Sequence, residues 1–379
     1  MKVGVLHRDV IRAFAKSCGN NYALMESVIQ KRLHLPPENE NALTPDNFSF
    51  RQIAEGLGGN MDPYSRLPVF TEAVSASQFA TIVGVLVSDI VMAAYAPFTK
   101  VIDQLVTKFT STMETDKVPG AYITGSLEDV SEGAEYPHTA DIKEKYVEIG
   151  HGKRGLILDI TDESVRFDRT GLVMREAGKL GERMGRDRES RFMKLIQDVT
   201  SFKAWYPSGS QEDLYQNAAG SATHTYDNLV TDVLTDYTDI NALWTLMRLM
   251  KDENGDPIDI RPTQLLVPVT LSVTARNIIN NTFIFAGTVQ GIANPFANAF
   301  TVIDHPDLDA QSTTAWYLGD FKRQFLEKVV IPPQVVTRGM SDNNEDGWRK
   351  DIVASWKVRY DSLVRATDYV FVGKSTGGG

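Results

Sequence analysis

The segment that most limits what this chain can fold into is Glu163–Val199, "ESVRFDRTGLVMREAGKLGERMGRDRESRFMKLIQDV". Val173, Ala177, Leu180 and Met184 recur at helical spacing, and Phe192, Leu195 and Ile196 resume the stripe, so the pattern predicts one long helix. It retains Gly178, Gly181 and Gly185, each costing a helix about 1 kcal/mol relative to Ala. A helix that keeps three glycines is expected to pack closely on a neighbour or to bend. Its charges alternate in sign. Arg183, Arg186, Arg188, Arg191 and Lys194 are interleaved with Glu182, Asp187 and Glu189, which reads as a salt-bridged face with i,i+4 pairs Glu182/Arg186 and Asp187/Arg191 rather than a phosphate-binding run.

The surrounding chain has room for two or three domains at 379 residues, with 42% hydrophobic and 23% charged residues, as in an ordered globular protein. Its net charge of -10 argues against a dedicated nucleic-acid binder. It does not exclude a surface that faces nucleic acid without adhering to it. A lone cysteine, Cys18, rules out an internal disulfide, and the N-terminus lacks the pattern of a signal peptide. The most apolar stretch, Ala80–Phe98, carries Asp89 near its middle and Pro97 near its end, so it reads as a buried or interface helix rather than a membrane span.

Residues 1–60 read as short helices joined by polar loops. After residue 115 the pattern becomes strand-like. Tyr146, Glu148 and Gly150 fall on one side and Val147 and Ile149 on the other, and "LILDIT" follows "GHGKRG". This predicts a β-hairpin with a glycine-rich basic tip at Gly150–Gly155. Ser201–Ala222 reads as a polar surface insertion. A helix is predicted over Thr238–Met250 with Thr238 or Asp239 as N-cap, a buried strand over Gln264–Pro268 and a helix over Leu271–Asn281. Trp356, Val358 and Tyr360 alternate with Lys357 and Arg359, Tyr369 and Phe371 fall in a last strand, and the "STGGG" tail is expected to be flexible. The fold class is α+β.

No catalytic constellation stands out. "DENGDPIDIRPT" places Asp252, Asn254 and Asp256 as in a calcium loop, but Pro257 stands where glycine is needed and Thr263 where glutamate is needed, so a tight turn at Asn254-Gly255 is the better reading. "GHGKRG" lacks the helix and the Ser/Thr of a phosphate loop. The Asp304–Asp309 loop, "DHPDLD", reads as a solvated loop. A metal-dependent enzyme using either acidic segment is the alternative from another class.

The order of these segments resembles the major capsid proteins of tailed bacteriophages, the HK-ninety-seven-type fold shared with encapsulin shells. The likeness is carried by "VSEGAEYP…KEKYVEIGHGKRGLILDIT", the entry to the long helix, "LMRLMKDENGDPIDIRPTQLLVPVTLSVTARNII" and "TAWYLGDF…ASWKVRYDSLVRATDYVFVGK", together roughly residues 115–375. The resemblance implies a helical N-terminal region (1–60), an N-arm (61–115), an extended hairpin loop (116–162), a spine helix of the peripheral domain (163–200), an insertion and connection (201–235), a mainly axial domain (236–345) and closing strands with a tail (346–379). It also implies a structural subunit, with no cofactor, that assembles into hexamers and pentamers of an icosahedral shell around double-stranded DNA. Portal, scaffold or decoration proteins would be its other partners, and an encapsulin-like shell around protein cargo is the alternative within the class. Subunit contacts are then expected at Tyr146, Ile149, His151, Lys153, Arg154, Arg183, Arg186 and Arg191, and for Ala80–Phe98 through intersubunit burial. Lys153 has no matching Asn, so no covalent crosslink is expected.

Overall fold

The structure is a computed structural model, and it describes residues 84, 87–124, 129–132, 141–161, 163–164, 172–198, 203–205, 211–217, 227–251, 257–286, 289–339, 349–350 and 352–378. The N-terminal helices expected over residues 1–60 and the turn residues Asp252, Asn254 and Asp256 lie outside the described residues. Contacts within the chain define two units. Among described residues, the first holds 84, 87–99, the run from Lys153 to Asp187, and the run from Ile331 to Asp361. The second holds the runs Lys100–Gly152, Arg188–Val330 and Ser362 onward.

In the first unit, helix α1 (residues 87–95) ends in a 3-10 turn, Ala96–Thr99. Of the strands numbered in chain order from β1, the fourth, β4 (Lys153–Thr161), pairs antiparallel with β14 (Ile352–Ala366) from Lys153↔Asp361 to Thr161↔Ile352. Side chains alternate across a strand, so Arg154, Leu156, Leu158 and Ile160 share one face with Trp356, Val358 and Tyr360. That face is the inner one: Trp356, Val358, Tyr360 and Ile160 are buried, while Lys357 is exposed. The alternation read from the sequence is therefore the observed one.

The long helix, α3 (Leu172–Gln197), keeps its glycines because α1 lies against them. A Cβ at Gly181 would come within 2.1 Å of the Val91 carbonyl oxygen, and one at Gly185 within 2.7 Å of Phe98 Cβ. Val87 and Val91 are fully buried and Tyr95 nearly so. This corrects one expectation: the Val87/Val91/Tyr95 face of the apolar stretch is buried within its own chain, not between subunits.

The second unit is built on a five-stranded sheet in the order β11-β8-β12-β15-β7. Its strands are β7 (Leu229–Val230), β8 (Gln264–Pro268), β11 (Thr301–His305), β12 (Trp316–Gly319) and β15 (Val372–Ser375). β8 is the buried strand expected at those residues. It runs parallel to β11 and antiparallel to β12, and Leu265, Leu266, Val267, Trp316 and Leu318 are fully buried. Helices α4 (Tyr237–Arg248) and α5 (Val269–Asn280) contribute Ile240, Leu243, Met247, Ala275 and Ile279 to the same core. From α3 come Phe192, Met193 and Ile196, with the Phe192 ring edge-on to Phe325 at 5.3 Å.

Several local readings change. The N-cap of α4 is Asp236, which forms a capping box with Asp239; a carboxylate reaching both exposed N–H groups outcompetes the later candidates. β15 begins at Val372, beyond Tyr369 and Phe371. The tail is held: Thr376 N–H donates to the Val230 carbonyl, Ser375 Oγ to the Asp232 carbonyl, and Gly377 is buried at φ 71, where a Cβ would meet the Thr314 carbonyl at 2.2 Å. Within the insertion, β5 (Lys203–Trp205) pairs antiparallel with β6 (Gln211–Asp213).

The hairpin is the main correction. β3 (Asp141–Ile149) does not pair with β4. It pairs along its whole length with β2 (Asp116–Thr124), from Asp116↔Ile149 to Thr124↔Asp141, as a separate two-stranded sheet. Gly150–Gly155 is thus no hairpin tip but a corner after which the chain takes up a different partner strand. The physical reason is that β4 matches the alternation of β14, which buries its inner row under α3.

Candidate assembly surfaces

Three structural devices shape the surfaces of this chain, and each rests on charges placed by the strands and the long helix. The first fixes the root of the β2–β3 ribbon. Strand β13 (Phe325–Gly339) begins beside β1 (Thr107–Thr110), in parallel register Thr107↔Leu326. Its Lys328 is fully buried, and its ammonium donates to the carbonyls of Met113 (2.7 Å), Glu114 (3.1 Å) and Ile149 (3.4 Å) and pairs with Asp116 at 2.9 Å. Hydrogen bonds from Lys328 first, then from Ser111, hold the Asp116 carboxyl below the usual carboxylate range. On the ribbon itself, Lys117 lies directly opposite Glu148, 3.6 Å away, and over the Tyr146 ring at 4.2 Å.

The second device fixes the long helix. Arg188 donates through Nε and an Nη to both oxygens of Glu327, with the Nε bond at 2.8 Å, and reaches Asp103 at 3.4 Å; Arg188 and Glu327 are both buried. Such a forked pair satisfies two acceptors at once. One residue on, buried Glu189 meets His305 Nε2 at 3.1 Å. His305 Nδ1 accepts from the Asp307 N–H, so Nε2 carries the proton that the carboxylate receives. Arg186 lies over the Phe98 ring at 4.9 Å. The two i,i+4 pairs expected on this helix are not made: Asp187 accepts from the Tyr360 hydroxyl at 2.5 Å and faces Arg154 at 3.9 Å.

The third is a cleft of about 200 Å³ beside β4, floored by Leu180, Met184 and Val358, bordered by Leu156 and rimmed by Arg154 and Arg183. Leu156 is 44% and Ile157 57% exposed.

Of the expected contact residues, His151, Lys153, Arg154, Arg183 and Arg186 are exposed, and Tyr146 and Arg191 are half-buried. Ile149 is fully buried within its own unit and is corrected: its side chain offers no surface to a second subunit. Arg191 instead braces the corner, where a Cβ at Gly152 would come within 3.1 Å of its guanidinium. Lys328, Glu327, Leu156 and Ile157 were not picked out from sequence. The signal for the first two was present, since "FLEKVVI" sets two opposite charges inside an apolar run.

The acidic loop has structural work to do. Asp309 accepts from the N–H groups of Val269 and Thr270 and the Thr270 hydroxyl, capping α5, and Asp304 pairs with Arg276 at 2.7 Å. Among the described residues no group of three or more His, Cys, Asp or Glu is placed to hold a metal ion, and no helix is long and apolar enough to cross a membrane.

A mixed fold with a two-stranded ribbon rooted on a buried lysine, a glycine-notched long helix and a separate sheet-and-helix unit defines a structural subunit of the shell-forming class. The chain belongs to the phage capsid protein family, whose model matches residues 147–375. It is a major capsid protein by that membership, of the HK-ninety-seven-type α+β fold. Among solved structures, it is similar to the capsid of a native GTA particle (TM-score 0.50, 10% identity, 73% of this chain and 90% of that chain). It is also similar to the capsids of cyanophage Pam1 (TM-score 0.48, 10% identity, 76% and 93%) and cyanophage P-SCSP1u (TM-score 0.47, 14% identity, 73% and 87%). At these identities the first likeness concerns the fold alone. No curated protein matches the sequence.

Proposed function

We propose that copies of this chain assemble in a bacterial cytoplasm into hexamers and pentamers that tile an icosahedral shell around double-stranded DNA. The observation that carries this reading is the β2–β3 ribbon: nine-residue strands paired only with each other, a form that gains stability in water by packing on something else. On this reading Asp116–Ile149 is the extended arm, the long helix is the spine of the peripheral domain, residues 236–345 form mainly the axial domain, and the last strands close the subunit. Exposed His151, Lys153, Arg154, Arg183 and Arg186, with Tyr146 on the ribbon, carry contacts between subunits. The net charge of -10 supports enclosure of DNA without adhesion to its phosphates. Portal and scaffold or decoration proteins complete the particle.

Electron microscopy of the purified chain under assembly conditions tests this, with closed shells expected. A chain that stays monomeric overturns it. Nuclease-protected DNA inside particles from cells is expected; a protein cargo in its place converts the reading to an encapsulin-like compartment.

A further inference from the structure

β4 ends its sheet, whose order is β1-β13-β14-β4, so one edge of its backbone has no strand beside it. Unpaired edges are templates for another chain, and proteins usually blunt them with charge, proline or a bulge. β4 carries charges only toward its ends, at Lys153, Arg154 and Asp159; the run Gly155–Leu158 has none. Its register with β14 is regular from Lys153 to Ile160, and the one irregularity lies at the far end, between Ile352 and Ala354. The edge is therefore flat where it is most apolar. Leu156 and Ile157 point to opposite faces and both stand exposed, and beside Leu156 lies the cleft floored by Leu180, Met184 and Val358. A strand laid along β4 would find main-chain partners at the edge and a socket for an alternate side chain, the two elements of recognition by strand addition.

The matching edge is present in the same chain. The β2–β3 ribbon lacks a third strand and has the same nine-residue length as β4. Of its two outer edges, that of β2 is blunted by Pro119, which has no N–H to give, whereas β3 contains no proline. We propose that the free edge of β4 is completed by the outer edge of β3 from a second copy of this chain. The continuous sheet so formed crosses from subunit to subunit, and an apolar side chain of the incoming strand fills the cleft beside Leu156. The inference rests on the shell reading above and adds the residues and the hydrogen-bonding mode of one contact.

The test uses full-length chains in the Cys18→Ser background, so that every thiol is an introduced one. One chain carries Ile157→Cys; a second carries Tyr146→Cys, Val147→Cys or Glu148→Cys. Particles are assembled from equal mixtures and oxidised, so that any heterologous disulfide is intermolecular. A disulfide needs the two Cα atoms within about 7 Å. Strand addition is expected to give a dominant cross-linked dimer for at least one of the three β3 positions, and none when Val273→Cys on α5 replaces the β3 thiol. In parallel, Ile157→Lys places a charge on the edge at a site 57% exposed in the single chain. The variant is expected to keep the wild-type circular dichroism and melting temperature and to lose at least tenfold in yield of closed shells. Wild-type shells with no disulfide at any β3 position, or Ile157→Lys shells in wild-type yield, overturn the edge contact and leave the shell reading standing. A wild-type chain that never assembles overturns both.

Discussion

The two halves of the long helix α3 hold their neighbours by opposite means. From Gly178 to Asp187 the helix is notched: glycines let the backbone of α1 approach until nothing larger fits, and little side-chain volume is involved. From Arg188 to Gln197 it is filled with bulk and charge: Phe192, Met193 and Ile196 enter a core rich in aromatic rings, and Arg188 and Glu189 carry their charges inside. The difference teaches that one regular helix can make a contact set by shape, where any added atom is harmful, and a contact set by partners, where any removed atom is harmful. Substitutions should therefore act with opposite logic on the two halves.

The largest expected effect falls on the filled half. Glu327→Leu strands Arg188 in the interior and should lower stability by about 3–5 kcal/mol, as removal of one member of a buried pair does. Adding Arg188→Met to it should recover most of that loss, because two well-packed apolar groups replace two charges. Urea unfolding of the three variants measures this, and a double variant no more stable than Glu327→Leu would show that the pair does more than satisfy itself. On the notched half, Gly181→Ala pushes a methyl group into the Val91 carbonyl and should cost about 3 kcal/mol. Three residues earlier the sign reverses. A Cβ at Gly178 meets only Ile90 Cγ2, at 3.6 Å, so Gly178→Ala should stabilise by about 0.5–1 kcal/mol through helix propensity alone. Thermal melts of the pair decide whether the notch is centred on Gly181.

The smallest effect lies outside the helix and concerns pH. Burial opposes ionisation of Asp309, but hydrogen bonds from the Thr270 hydroxyl and the N–H groups of Val269 and Thr270 outweigh it and hold the carboxyl below the usual range. A lowered folded-state pKa gives stability that is full above the unfolded value, near about 4, and is lost as pH falls through the folded value. The wild-type chain should therefore lose more stability than Asp309→Asn between about pH 5 and pH 2, and parallel acid limbs would assign the cap no charge-dependent part.

What the sequence made legible was whatever repeats locally. The alternation of Trp356, Val358 and Tyr360, the buried run Gln264–Pro268 and the glycines of the long helix each announce a face or a close neighbour. What it hid was the identity of distant partners. Val147 and Ile149 declare a strand, but nothing in them says that β2 rather than β4 lies alongside, because both candidates are short and adjacent in sequence. Asp187 sits four residues from Arg191 and yet bonds Tyr360, 173 positions away. Asp309 looks like one carboxylate of an acidic loop until the start of α5 is brought to it. Of the contact surfaces, the basic residues around the corner were visible as charges, while the exposed edge of β4 became visible only once its pairing with β14 left the other side open.

Glu327 and Lys328 are neighbours on one strand, and a strand turns successive side chains to opposite sides. One grips the long helix and the other grips the root of the arm. A pull on the arm is therefore borne one peptide unit away from the anchor of the helix, with no flexible loop between them to take up slack. In mechanical terms the two residues act as a riveted joint, and load entering at the ribbon reaches the spine of the subunit undamped.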